Sequence, residues 1–95
     1  MNNYESIIIV NPNVTNDEIR ELIEYIKKII TDKNGKIAEV KDLGKKKLAY
    51  EIKKNKEGHY VQFNFKADPE VIVELERIYR IKDEIIKFVT VKIED

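Results

Sequence analysis

The sequence predicts a single α+β domain of order β-α-β-β-α-β, with four antiparallel strands and two helices on one face of the sheet. Three observations carry this. Two segments with apolar residues at three- and four-residue spacing, each behind a helix-start signal, read as amphipathic helices. Stretches of period-two alternation precede, separate and follow them. The long stretch between the helices is divided by a polar turn, which makes it a hairpin rather than one strand.

Tyr4 to Val10 reads as the first strand, ended by Asn11-Pro12-Asn13. If Ser6, Ile8 and Val10 face the helices, Ile7 and Ile9 face the other way. Thr15 and Glu18 form a capping box, with Val14 and Ile19 at the staple positions. Loss of the Thr15 hydroxyl is expected to cost about 1 kcal/mol. Ile19, Leu22, Ile23, Ile26, Ile29 and Ile30 then make one apolar stripe. Asn34-Gly35 ends the helix, with the glycine expected as its left-handed cap.

Lys36 to Lys53 reads as one long strand with a bend. Leu43 falls on the opposite parity from Val40, which places a bulge or kink near Gly44. Beyond it, Leu48, Tyr50 and Ile52 alternate with Lys47, Ala49, Glu51 and Lys53, the pattern of a half-buried strand. Asn55 to Gly58 reads as the turn. From Tyr60 to Ala67 the parity is regular: Val61, Phe63, Phe65 and Ala67 on one side, Tyr60, Gln62, Asn64 and Lys66 on the other. Asp68 is the expected N-cap of the second helix and Pro69 its first residue. Val71, Ile72, Leu75, Ile78 and Tyr79 form its stripe, and a last strand runs from Ile85 to Ile93. Right-handed crossovers give the ferredoxin-like arrangement with strand order 4-1-3-2 and one face left open. That fold hosts many functions and by itself decides none.

The 95 residues suffice for one core, so residues 1–95 are read as one domain without linker or repeat. Eighteen basic and eighteen acidic residues cancel. Zero net charge argues against wrapping nucleic acid by bulk electrostatics and calls for local clustering or a basic partner. Without cysteine there is no disulfide frame, thiol nucleophile or thiolate metal site. The apolar run Ile7 to Val10 is too short for a signal peptide or a membrane span, so a cytoplasmic location is expected.

Enzyme signals are poor. His59 is the only histidine and reads as a hairpin-end residue without a chemical role. No nucleophile–base set, metal cluster or phosphate-cradling glycine loop is spelled out, so neither a cofactor nor a metal is expected. Asn11-Pro12-Asn13 lacks the glycine-rich, arginine-bearing loop of acylphosphatases. Gly58 to Phe63 matches the base-stacking strand of RNA-recognition motifs poorly. Glu18, Glu21 and Glu24 with Arg20, Lys27 and Lys28 read as solvated helix surface.

Binding signals are better. Lys45, Lys46 and Lys47, with Lys53, Lys54 and Lys56, gather along the second strand and its hairpin end. Phosphate contact and protection of an edge strand both account for them. The last strand is apolar on both parities, Phe88 and Thr90 against Val89 and Val91. A partner over part of the open face explains that excess of apolar surface; the alternative is that the parity of the strand is assigned wrongly.

Over nearly its whole length the chain resembles the family of the sixth protein of the bacterial small (30S) ribosomal subunit. Tyr4-Glu5 and Asn11-Pro12 flank the first strand as they do there, and Gly35-Lys36-Ile37 starts the second. Leu43-Gly44, then basic residues, then Leu48-Ala49-Tyr50 and Ile52, is similar to the family signature. Gly58-His59-Tyr60, Arg80-Ile81 and Asp83 complete the likeness. Asn2 and Asn3 stand where relatives carry arginine, Glu51 where they often have proline, and lysines replace arginines in the signature; lysine loses bidentate phosphate contacts.

The resemblance implies a non-catalytic protein that binds 16S ribosomal RNA of the central domain together with the eighteenth small-subunit protein. On that reading Lys45, Lys46, Lys47 and Lys53 approach phosphates, with Lys54, Lys87 and Lys92 beside them. Ile7, Ile9, Tyr60, Gln62, Val89 and Val91 are the expected partner contacts. The alternative is a small non-ribosomal ferredoxin-like module that regulates or binds a ligand.

Overall fold

The computed structural model describes residues 1–93. The elements follow as β1 (Asn2–Val10), α1 (Asn16–Asp32), β2 (Lys36–Ile52), β3 (Asn55–Ala67), α2 (Pro69–Ile81) and β4 (Ile85–Ile93). All neighbouring strands are antiparallel, and the sheet order β2-β3-β1-β4 is the expected 4-1-3-2 read from the other edge.

Local chemistry sets α1. The Thr15 hydroxyl accepts the Glu18 N–H and the Glu18 carboxylate accepts the Thr15 N–H, each at 3.2 Å. Ile19, Leu22, Ile26 and Ile30 are buried, with Val14, Ile23 and Ile29 packed beside them. The left-handed residue at the helix end is Asn34, with φ of 67°, not Gly35 as expected. Gly35 is required for space instead. Its N–H donates to the Ile30 carbonyl at 2.9 Å, and a Cβ there would lie 2.6 Å from Ile30 Cγ2.

Helix α2 starts at Pro69, with Asp68 extended at the N-cap position, but the Asp68 side chain makes no capping hydrogen bond. Its carboxylate lies 3.8 Å from the Met1 ammonium. The stripe of α2 faces the sheet, with Val71, Leu75, Ile78 and Tyr79 buried.

Tyr4, Ser6, Ile8 and Val10 of β1 and Val61, Phe63, Phe65 and Ala67 of β3 are buried, as the parity requires. Most join the helix stripes in one core. Ser6 is the polar member: its hydroxyl lies 2.9 Å from the Tyr79 hydroxyl and 3.0 Å from that of Thr90. On β4, Phe88 packs against Tyr79 with ring centroids 5.2 Å apart, which assigns Phe88 and Thr90 to the helix side and Val89 and Val91 to the open face.

The β2–β3 hairpin departs from expectation. Its turn is Lys53-Lys54, both with positive φ (47° and 67°), closed by the Ile52–Asn55 pair. Two left-handed residues match the right-handed twist of a two-residue hairpin, and Asn55 reinforces them by donating its amide to the Lys53 carbonyl at 3.2 Å. Asn55 to Gly58 therefore belong to β3, and Lys53 has left the strand. The bulge at Gly44 is present, with φ of 75° and a register shift between Asp42 and Gly44. One Asp42 carboxylate oxygen fastens it, accepting the Gly44 N–H at 3.0 Å and lying 2.5 Å from His59 Nε2. His59 is buried, so it is a structural clasp and not a free hairpin-end side chain.

Candidate partner and nucleic-acid interface

The open face of the sheet carries a second, smaller apolar cluster. Ile9 of β1, Leu48 of β2 and Ile86 of β4 are buried together, with Ile52 and Tyr60 against them. These strands are not all neighbours, so the outer half of the β2–β3 hairpin must curl over the open face to bring Leu48 there. The ladder shows where it departs: pairing runs to Lys47–Glu57, then shifts before Ile52–Asn55. Gly58 makes room for the curl, since a Cβ on it would lie 2.3 Å from Ile9 Cγ2. Tyr50 reaches furthest, and its hydroxyl meets Lys87 Nζ at 2.5 Å.

Beneath this arm lies a groove of about 380 Å³ lined by Ile7, Ile9, Leu48, Ala49, Tyr50, Ile52, Tyr60, Lys87, Phe88 and Val89. Its apolar floor continues along β4 into Val89 and Val91, which are 50% and 47% exposed. Cross-strand pairing ranks Gln62, Ile7 and Val89 side by side, and Tyr60, Ile9 and Lys87 likewise. The six residues expected at a partner surface thus fall on one face. Ile9 is the exception in accessibility, because the curled arm covers it.

The seven lysines expected at RNA do not form one patch. Lys46 shares the face of Tyr60, its ammonium 5.9 Å from the ring centre, and Lys87 lies across the groove. Lys45 and Lys47 alternate with Lys46 and project from the other side of the strand, opposite His59 and Glu57. Lys53 and Lys54 form the turn. Lys92 lies on β4 in register with Tyr4, on the parity of Phe88 and Thr90. Six of the cations ring the hairpin end on several sides while Lys92 lies towards the other end of the sheet, an arrangement able to touch separate phosphates but not to hold one.

Among the described residues no helix is long and apolar enough to cross a membrane, and no group of three His, Cys, Asp or Glu is placed to hold a metal ion.

The model of the ribosomal protein S6 family matches residues 3–92. The chain belongs to the ribosomal protein S6 family. It is 45% identical to the small ribosomal subunit protein bS6 of Helicobacter acinonychis over 92 residues, covering 97% of this chain and 65% of that protein. The bS6 of Helicobacter pylori gives 45% over 94 residues, covering 99% and 66%. This chain therefore spans just under two thirds of the length of those relatives. The crystal structure of 30S ribosomal protein S6 from Thermotoga maritima superposes with a TM-score of 0.91 at 43% identity, covering 97% of this chain and 87% of that one. The S6 family is structural and not enzymatic, as the lack of a nucleophile–base set led us to expect.

Membership leaves open which residues of this S6 chain make contacts, and the sequence had left parts of the site out. Leu48, Ala49, Tyr50 and Ile52 line the groove, yet none was expected there. Only the apolar parity of Leu48, Tyr50 and Ile52 was visible beforehand. What it packs on is set by the curl of the hairpin.

Proposed function

We infer that this chain is a structural constituent of the small ribosomal subunit that binds 16S ribosomal RNA of the central domain jointly with the eighteenth small-subunit protein. S6 family membership gives it a place on the bacterial ribosome, in the cytoplasm. The observation that supports a protein partner is the strip Ile7, Val89 and Val91 beside the groove. It leaves apolar surface on the open face of a chain that is otherwise 38% charged. The partner buries this strip, its basic residues offset the zero net charge, and the pair presents Lys46, Lys87 and the hairpin-end lysines to phosphates. The role is scaffolding: heterodimer first, then joint docking on RNA.

Titration of the purified eighteenth protein against this chain tests the surface. Val89→Glu places a charge in the strip without touching the core and weakens binding at least tenfold. Glu21→Lys, on the exposed side of α1, leaves it unchanged. Equal affinity for Val89→Glu and the unmodified chain would remove the open face from the interface.

A further inference from the structure

We propose that a second hollow, at the end of the sheet face away from the hairpin, is a seat for one stretch of RNA sugar–phosphate backbone, held by Lys36 and Lys66. This rests on the ribosomal reading above and adds a site to it. The hollow has a volume of about 470 Å³ and is lined by Lys36, Lys66, Asn3 and Asn64, with Met1 and Ile93 among its apolar members. Along β1 it lies four residues from Ile7, about 13 Å at ~3.3 Å per residue, so it is separate from the groove.

Its charges lack an obvious internal reason. Lys36 and Lys66 are direct partners across the β2–β3 ladder. Like charges in register destabilise a sheet unless something neutralises them. Neither forms an ion pair among the described residues. The nearest acids in the ladder are Glu5 and Glu39, both opposite Asn64. Glu39 is engaged by Lys41 at 3.6 Å, and neither carboxylate lines the hollow. Asn64 adds a donor: its side-chain oxygen already accepts from Gln62 at 3.2 Å, which leaves its NH₂ for an acceptor in the hollow. Two ammonium groups and an amide donor suit the oxygens of two successive phosphodiesters, one to each lysine, and the volume with its apolar flank accommodates the sugar between them.

The test is the salt dependence of binding to a central-domain RNA fragment, with the eighteenth protein present. Lys36→Gln and Lys66→Gln each reduce the steepness of log K against log salt by about 0.7–0.9. The paired change gives roughly twice that, and Lys28→Gln on α1 leaves the slope alone. RNA binding with an unchanged slope in the paired variant overturns the hollow but not the ribosomal reading. No RNA binding by the unmodified pair overturns both. Inorganic phosphate, added to the isolated chain at constant ionic strength, separates the sources: if it perturbs the Asn64 side-chain amide resonances as strongly as RNA does, the site is one for free phosphate and the RNA assignment falls.

Discussion

The ammonium of Lys87 lies 2.5 Å from the hydroxyl of Tyr50, although their strands, β4 and β2, form opposite edges of the sheet. The contact exists because the outer half of the β2–β3 hairpin bends back across the open face. The same cation lies 5.1 Å from the centre of the Tyr50 ring. Tyr50 is 61% exposed, so the pair adds little to global stability. Tyr50→Ala is expected to lower the unfolding free energy by less than about 1 kcal/mol. It should nevertheless speed amide hydrogen exchange in residues 47–57 several-fold, because the arm loses its furthest anchor. Exchange at the unmodified rate would mean that the arm is held without Tyr50.

Leu48 holds the arm more firmly. It is 8% exposed, against Ile9 and Ile86. Leu48→Ala should cost about 2 kcal/mol in urea unfolding, at the low end for such truncations because the site lies at the margin of the fold. Ile26→Ala, in the main core with its side chain fully buried, should cost about 3–4 kcal/mol. Equal costs would make the small cluster as integral to folding as the main core.

Two glycines in the hairpin separate strain from space. Gly44 has φ of 75°, and a methyl group placed on its Cα would meet nothing within 4 Å, so Gly44→Ala costs only backbone strain, about 1 kcal/mol. Gly58 carries no such φ, but its added Cβ would displace the stiff Ile9 side chain. Gly58→Ala should cost about 1–3 kcal/mol and shift the Ile9 methyl resonances, which Gly44→Ala should leave in place. A Gly58→Ala variant with unmoved Ile9 would contradict the packing described.

Most of the fold was legible because it is written in local periodicity. Thr15 and Glu18 announce α1, the alternation from Tyr60 to Ala67 assigns both sheet faces, and the parity break before Gly44 locates the bulge. What escaped depends on contacts distant in sequence. Nothing in Lys53-Lys54 marks a left-handed turn, whereas the polar run from Asn55 to Gly58 does, so the turn was expected two residues late. The His59–Asp42 clasp arises only once β2 has paired with β3 around the Gly44 bulge, and the groove under Tyr50 only once the outer hairpin has curled over β1 and β4. The lysines were visible as a run, but alternation along the strand divides them between its two sides.

The buried hydroxyl network makes an alkaline prediction. Burial pushes the Tyr79 phenol up to about 12, against a smaller lowering by its hydrogen bond to Ser6 and a further rise from the nearby Glu76 carboxylate. A folded pKa above the unfolded value of about 10 means that this stability is fully present below pH 10 and is lost as pH rises towards 12. The loss from this group approaches about 1.4 kcal/mol per pH unit within that window. Tyr79→Phe should abolish this part of the decline and cost about 1–2 kcal/mol at neutral pH, since Ser6 keeps only Thr90. Urea unfolding at pH 8 and at pH 11 decides it. An unchanged alkaline decline in Tyr79→Phe would assign the loss to other groups.

The most direct test of the central claim is the affinity of this chain for a central-domain 16S RNA fragment, measured with and without the eighteenth small-subunit protein at one salt concentration. Joint docking predicts weak binding by the chain alone and a gain of at least tenfold when the partner is present. Tight binding by the chain alone, or no gain on adding the partner, would contradict it.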